Sequence, residues 1–212
     1  MIITYHGKQF FKLQQGDFTL AYNPISKDSK KYDKPTKFGS TIALVSVRHE
    51  DYNGTENATF GDTEPFIIQG PGSYEVGGVT INGFGTKSLI DDAHYVNTLY
   101  FVVIEDITYC FIGDLEDPAL DQQIKEFTDS VDVLFVPIGS NGTLTPVQAG
   151  KISKVFSPKV IIPMDYGIGR DSGVLDIFVK EMGASKEPVE KYVFKKSDIE
   201  GLTGKVIVIK EQ

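Results

Sequence analysis

The pattern of apolar residues changes near Asn97, and this change constrains the fold more than any other feature of the chain. Before it, short β-rich segments such as 2–5 and 18–22 are separated by glycines, which is typical of a strand meander. After it, buried-strand patterns such as 131–137 alternate with helix signals. No linker divides the two parts. We therefore predict one domain over 1–212, of the α/β (α+β) class, in which two sheets pack together with helices outside.

Three helices are predicted in the second part of the chain. Each begins at a side chain that can cap a helix, and the last ends at a glycine. The predicted helices are 118–129 after Asp117, a helix from Thr145 and its capping-box partner Gln148 to about 156, and one from Asp171 or Ser172 to Gly183.

The glycine-rich segment 70–78 has two interpretations. A phosphate-binding loop should follow a strand and open a helix. Residues 79–82 are strand-like instead, so the glycines are predicted to shape turns and bulges.

Composition and charge exclude several classes of protein. The net charge of −8 is the wrong sign for a nucleic-acid partner, and we expect none. The single cysteine, Cys110, excludes an intramolecular disulfide and a cysteine-based zinc site. No apolar run approaches the ~20 residues that span a bilayer, and polar residues interrupt the N-terminus. We therefore expect a cytoplasmic protein without a membrane partner, and the oligomeric state stays open.

A polar loop after the apolar run 42–47 carries the candidate chemistry. The run predicts a strand buried on both faces, and the loop that follows contains His49 and Asp51. This loop resembles a damaged metal-binding loop, whose intact form would read His-x-His-x-Asp-His at the end of a strand, where imidazoles and a carboxylate converge as the chain turns. In this chain Val47 stands at the first histidine and Tyr52 at the last.

Several segments in order resemble the metallo-β-lactamase superfamily, in particular its ascorbate-6-phosphate-lactonase-like branch of small metal-dependent hydrolases. The matching segments are Asn23-Pro24, the loop 45–53, Pro71 to Gly78, Gly113-Asp114-Leu115, and Ile161 to Tyr166. The resemblance covers nearly the whole chain. It implies a four-layer αββα sandwich, the metallo-β-lactamase-like fold.

The resemblance also implies a set of seven ligands around two metal ions. Carried over to this sequence, the first site receives Val47, His49 and Ser88, the second receives Asp51, Tyr52 and Asp165, and Asp114 bridges them. The substituted ligand positions are Val47, Tyr52, Ser88 and Asp165. The metal site is therefore degenerate, since His49, Asp51 and Asp114 alone keep the family's residue type.

What is left of this set favours no cofactor, or one divalent metal at most. At the first site only His49 and Asp114 are left as ligands, and two ligands are too few for tight zinc binding. The second keeps Asp51, Asp114 and Asp165, an oxygen set that suits Mg²⁺, Mn²⁺ or Ca²⁺ better than Zn²⁺. Carboxylates held close together raise one another's pKa unless a positive charge lies nearby, and the candidates are a metal ion, a protonated His49, or Arg48 turned inward. Hydrogen bonds to the backbone and a proton shared between the Asp residues are the alternative ways to relieve the like charges.

Two functional hypotheses follow, and the sequence leaves open whether the chain is an enzyme. The favoured one is a non-catalytic pseudoenzyme that binds an unidentified small molecule or protein, in a binding or regulatory role. The alternative is a remodelled hydrolase of an ester, lactone or phosphoester, with one hard metal held by Asp51, Asp114 and Asp165. In that alternative His49 and Asp51 are the catalytic candidates, with His49 as general base or acid. The loops expected to set selectivity are 25–40, 51–64 and 86–96.

Overall fold

Two β-sheets face each other in the computed structural model, which describes residues 1–32, 35–62, 64–139, 142–167 and 173–212. The first sheet contains β1 (Ile2–Tyr5), β2 (Phe11–Gln15), β3 (Phe18–Tyr22), β4 (Ile42–Leu44), β5 (Phe66–Ile68) and β12 (Tyr192–Val193). The second contains β6 (Gly72–Val76), β7 (Val79–Ile90), β8 (Ala93–Ile104), β9 (Ile107–Phe111), β10 (Val133–Pro137), β11 (Val160–Met164) and β13 (Lys205–Val206).

The strand order places several loops at one end of the sandwich. The first sheet runs β12-β1-β2-β3-β4-β5, with β3, β4 and β5 parallel to one another. The second runs β13-β11-β10-β9-β8-β7-β6, with β9, β10, β11 and β13 parallel. Ligand sites in sheets with parallel strands form beyond the carboxyl ends of those strands. The loops after β4, β9 and β11 carry the residues singled out from the sequence, except Ser88, which lies in β7.

Aromatic rings from both sheets form the centre of the sandwich. Tyr22 of β3 lies 4.3 Å from Phe111 of β9, and Phe111 lies 4.4 Å from Phe135 of β10. Phe11 of β2 then meets Phe135 edge-on at 5.0 Å and stacks on Tyr5 of β1 at 4.7 Å. All five side chains are fully buried. This continuous aromatic contact fixes how the two sheets lie against each other.

Four α-helices are described: α1 (Gln122–Lys125), α2 (Pro146–Phe156), α3 (Val174–Glu181) and α4 (Lys196–Ile199). The capping box predicted at Thr145 is confirmed, since its side chain accepts the Gln148 backbone N–H and the Gln148 side chain accepts that of Thr145. The α2 helix packs on β10 and on α3. Gly183, with a φ of +62°, follows α3 as predicted, whereas Asp171 and Ser172 lie outside the described residues. Within the described ranges no helix is long and apolar enough to cross a bilayer.

The helix predicted over 118–129 is wrong. The carboxylate of Asp117 accepts the N–H of Ala119, which closes a local turn, and regular helix begins only after Asp121. Only the four residues of α1 and a 3-10 turn at Thr128–Ser130 are helical in this segment.

A loop predicted at 86–96 is also wrong, because β7 and β8 continue through it as a hairpin. The turn is made by Asp91 and Asp92, with φ of +48° and +64°, which is the backbone of a tight two-residue hairpin turn. The outer part of this hairpin is rich in polar and exposed residues, so the apolar pattern does not reveal it. Gly77 and Gly78 make a similar turn between β6 and β7, as expected for part of the glycine-rich segment.

His6 lies half-buried between aromatic rings on the outer side of the first sheet. Its ring centre is 5.2 Å from that of Phe10 and 5.6 Å from that of Phe38. Its Nδ1 is buried and has no hydrogen-bond partner among the described residues. Burial, reinforced by the positive charge of Lys12, lowers the pKa of His6 from 6.5 to about 4.

This lowered pKa predicts a loss of stability in mild acid. The unfolded chain binds a proton at His6 near pH 6.5 and the folded chain only near pH 4, so the contribution is complete above pH 6.5 and is lost as the pH falls towards 4. Between pH 7 and 5 we expect the free energy of unfolding to fall by about 1–2 kcal/mol from this group. His6→Phe should remove this pH dependence in urea titrations, whereas His94→Gln, at an exposed histidine, should keep it. An equal slope in His6→Phe and wild type would contradict the assignment.

Candidate functional site

The loop after β4 crosses from the first sheet to the second. β4 ends at Leu44, earlier than the apolar run suggests, and the Ser46 N–H then donates to Asn23 Oδ1 at 2.8 Å. Val47 forms an isolated antiparallel bridge with Asn97 of β8. The segment that carries the degenerate motif is therefore tied to both sheets by protein hydrogen bonds.

Asp114 is placed by a fixed backbone after β9. Asn97 accepts the Asp114 N–H at 2.9 Å through Oδ1 and donates to the carbonyl of Ile112 at 3.0 Å through Nδ2. Gly113 has a φ of +73°, and a Cβ added there would lie 2.2 Å from Asn97 Oδ1. Only glycine fits between the two. The Gly-Asp-Leu motif therefore holds the Asp114 carboxylate at a set position.

The Asp114 carboxylate is 1% exposed and hydrogen-bonded at both oxygens. Oδ1 accepts from the Tyr52 hydroxyl at 2.7 Å and from Gln9 Nε2 at 3.2 Å, and Oδ2 accepts from the Ser88 hydroxyl at 2.7 Å. Burial raises the pKa of Asp114, as does the negative charge of Asp165, while Lys8 and the two hydroxyls oppose the increase. Two of these donors, Tyr52 and Ser88, stand at substituted ligand positions.

Asp165, after β11, is held by a buried lysine. Lys8 Nζ lies 3.0 Å from Asp165 Oδ2, and the two side chains are 6% and 1% exposed. The Asp165 N–H also donates to the carbonyl of Lys8. A Cβ added at Gly139 would lie 2.5 Å from Asp165 Oδ2, so this glycine makes room for the carboxylate. The ion pair joins the β1–β2 hairpin to the end of β11.

No pattern in the sequence marks Lys8 as part of the site. It lies in the turn between β1 and β2, where a lysine normally points to solvent, and only the neighbouring Gly7 signals unusual backbone. Both have positive φ, +87° for Gly7 and +52° for Lys8, and the Tyr5 hydroxyl donates to the Lys8 carbonyl at 2.9 Å. The ammonium then lies 5.1 Å from the centre of the Tyr52 ring. Lys8 therefore supplies the inward positive charge, while Arg48 is exposed.

Asp51 and His49 form a second cluster. Asp51 is 2% exposed, and its Oδ1 accepts from the Ser29 hydroxyl at 2.6 Å while Oδ2 lies 3.5 Å from Lys31 Nζ. The Asp51 N–H donates to His49 Nδ1 at 3.2 Å. A neutral His49 with this bond carries its proton on Nε2. The ring also meets Tyr95 edge-on at 5.5 Å.

Apolar packing occupies the position of the missing first histidine. Val47 is fully buried and forms a small cluster with Tyr52 and Ile90, against which Tyr95 packs. Replacing a ligand by a packed aliphatic side chain removes both the donor atom and the space for an ion.

The residues present do not fit the pair of metal ions that the family resemblance implies. No group of three or more His, Cys, Asp or Glu side chains in the described part of the chain could hold a metal ion. Asp51, Asp114 and Asp165 are all buried, but each receives hydrogen bonds or ion pairs from hydroxyl, amide or ammonium groups. In the described part of the chain, protein donors therefore contact all three carboxylates.

Comparison with known proteins identifies the class. The beta-lactamase superfamily domain matches residues 2–165. A relative from Listeria monocytogenes serotype 4a, named a metal-dependent hydrolase, is 25% identical over 240 residues, covering 100% of this chain and 98% of the relative. One of the same name from Bacillus cereus is 26% identical over 198 residues, covering 78% of this chain and 86% of the relative.

Solved structures agree with this match. A protein from Thermotoga maritima, described as a Zn-dependent hydrolase of the metallo-β-lactamase superfamily, has a TM-score of 0.77 at 26% identity, covering 100% of this chain and 99% of that one. The metallo hydrolase Igni18 from Ignicoccus hospitalis has a TM-score of 0.64 at 17% identity, covering 99% and 94%. This chain therefore belongs to the metallo-β-lactamase superfamily, and the predicted sandwich fold is confirmed.

The Lys8–Asp165 ion pair predicts a large loss of stability when one partner is removed. Lys8→Met should lower the free energy of unfolding by about 3–5 kcal/mol, because it leaves a buried carboxylate without its cation. Adding Asp165→Asn should recover more than half of this loss, since neither charge then remains buried. Urea denaturation of the two single variants and the double variant measures the coupling.

Lys154→Met is the matched control for this series. Lys154 lies at the same 3.0 Å distance from Glu181, but its side chain is 59% exposed. Its loss should therefore cost under about 1 kcal/mol. Equal effects of Lys8→Met and Lys154→Met would contradict a structural role for the buried pair.

Proposed function

We propose that this chain is a metal-independent member of its superfamily, which acts by binding a small molecule or a protein and does not hydrolyse a substrate with a metal ion. The observation that carries the proposal is the ammonium of Lys8, 3.0 Å from Asp165 and 6% exposed. A metal ion at Asp165 would have to displace this buried cation or lie beside it, and both are unfavourable.

The state of Asp114 supports the same proposal. By the family resemblance this is the position that would bridge two metal ions, with its carboxylate as the ligand. Here Tyr52 and Ser88 donate short hydrogen bonds, each of 2.7 Å, to the two oxygens. Charge-assisted hydrogen bonds of this kind are among the stronger polar contacts in proteins, and binding a metal would break them.

No group of the Lys8–Asp165 pair can replace a metal ion in activating a water molecule for hydrolysis. A bound metal lowers the pKa of a water molecule and generates hydroxide near neutral pH. The Lys8 ammonium has no vacant coordination position to offer a water molecule, and it is already bonded to Asp165. We therefore assign the Lys8–Asp165 pair and the Asp114 hydrogen bonds a structural role, as a network that closes the former metal centre.

The first test is the metal content of protein purified without an affinity metal. We expect elemental mass spectrometry to find far less than one ion per chain, also after dialysis against excess Zn²⁺ or Mn²⁺ and removal of free metal. A near-stoichiometric ion that is lost in Asp114→Ala would overturn the proposal. It would favour the alternative of a hydrolase with one hard metal at Asp51, Asp114 and Asp165.

A variant with restored ligands is the positive control for this measurement. Val47→His with Ser88→His returns two histidines beside His49 and Asp114, and three or four such ligands suffice for zinc. The removal of Ser88 also takes one hydrogen bond away from Asp114. We expect this double variant to retain about one Zn²⁺ per chain under the conditions in which the wild type stays empty.

A further inference from the structure

A cleft lies beside the degenerate metal site, and its lining residues are not those of the network around Lys8, Asp114 and Asp165. Its volume is about 620 Å³, which is within the range of small-molecule sites. It lies between the loop after β4, the connection from β5 to β6, and the start of β8. The described residues that line it include no Asp or Glu, although the chain has a net charge of −8.

Arg48 gives this cleft a positive charge. Its side chain is exposed, and its one hydrogen bond among the described residues is a long one of 3.4 Å from Nη2 to the carbonyl of Gln69. None of the ion pairs within the described residues involves Arg48, in contrast to the buried Lys8. A guanidinium without a carboxylate partner presents a planar pair of donors that matches a carboxylate group.

The other walls of the cleft are aromatic and aliphatic. Tyr74, Tyr95, Val96 and Pro71 line it together with Arg48. The Tyr74 hydroxyl is oriented by bonds of 3.2 Å to the carbonyls of Gly70 and Pro71, so its ring is held in place. Flat apolar walls of this kind pack against a planar or aliphatic body.

Hydrogen bonds of a buried tyrosine join two walls of the cleft. The fully buried Tyr100 donates to the carbonyl of Val45 at 2.9 Å and accepts the N–H of Gly70 at 3.0 Å. One hydroxyl thus joins the loop that carries Arg48 to the opposite wall. A site that is organised in advance loses less free energy on binding.

A neighbouring cavity that also contains Arg48 is less suited to a negatively charged ligand. Arg48 and Tyr95 also line a second cavity of about 460 Å³, but Asp28, Glu50 and Glu56 line it too. Their negative charges would repel an anion. The guanidinium therefore favours an anion on the side of Tyr74.

We propose that this cleft binds a small organic carboxylate with an aromatic or aliphatic body, whose carboxylate pairs with Arg48 and whose body lies between Tyr74 and Tyr95. The proposal rests on the proposed function in that it names the ligand class of a protein that acts by binding. It involves no covalent step and no metal.

The probe is phenylacetate, followed by NMR on isotope-labelled protein in buffer with EDTA. We expect chemical-shift changes at the cleft residues and a Kd on the order of 1 mM, as for a ligand of this size. Phenylacetamide, which has the same body without the charge, and acetate, which has the charge without the body, should each bind about tenfold more weakly or worse.

Variants assign the binding to Arg48. Arg48→Gln should weaken phenylacetate binding about tenfold or more, and Arg48→Lys should weaken it less, because the charge stays and the planar pair of donors is lost. Lys180→Gln, at an exposed lysine of α3 outside the cleft, should leave binding unchanged. The amide spectra of the variants show whether each one remains folded.

The outcomes separate this proposal from the proposed function. Absent binding, binding unchanged in Arg48→Gln, or equal binding of phenylacetamide overturns the cleft proposal, while the metal content of the protein tests the proposed function independently. Binding that appears only after Zn²⁺ replaces EDTA overturns both.

Discussion

The buried ion pair between Lys8 and Asp165 is the interaction on which the rest of the site depends. The Asp165 carboxylate is 1% exposed, and the ammonium of Lys8 at 3.0 Å is its cationic partner. Its charge also opposes the rise in the pKa of Asp114 that burial and Asp165 cause. Here the compensating positive charge comes from the chain itself. Under the proposed function, the substituted ligand positions and Lys8 are parts of one arrangement.

Protein groups hold the loops that carry the candidate site. Asn23 holds the segment after β4 through Ser46, and Asn97 holds both Val47 and the backbone of Asp114. None of these ties requires an ion. The scaffold can therefore keep its shape while the positions inside it change chemistry, and the same fold serves different functions.

The sequence predicted the fold well because the apolar patterns that build the two sheets are local. The prediction was wrong where the structure depends on pairing between segments. About half of the residues in 86–96 are polar, and the two strands there form by pairing with each other. The Lys8–Asp165 contact joins residues 157 positions apart, so no local pattern reveals it. The roles of Tyr52 and Ser88 as donors to Asp114 were equally hidden, although the family resemblance had marked both positions as substituted.

Consecutive residues of the loop after β4 connect the network to the cleft. Val47 packs inward with Tyr52, and Arg48 is exposed at the cleft. Tyr52 in turn donates to Asp114 and lies under the Lys8 ammonium. The backbone that presents Arg48 is therefore adjacent to a side chain fixed by the network. The hydrogen bonds and the ion pair around Asp114 and Asp165 therefore do more than stabilise the core, since they also help to hold the backbone from which Arg48 extends into the cleft.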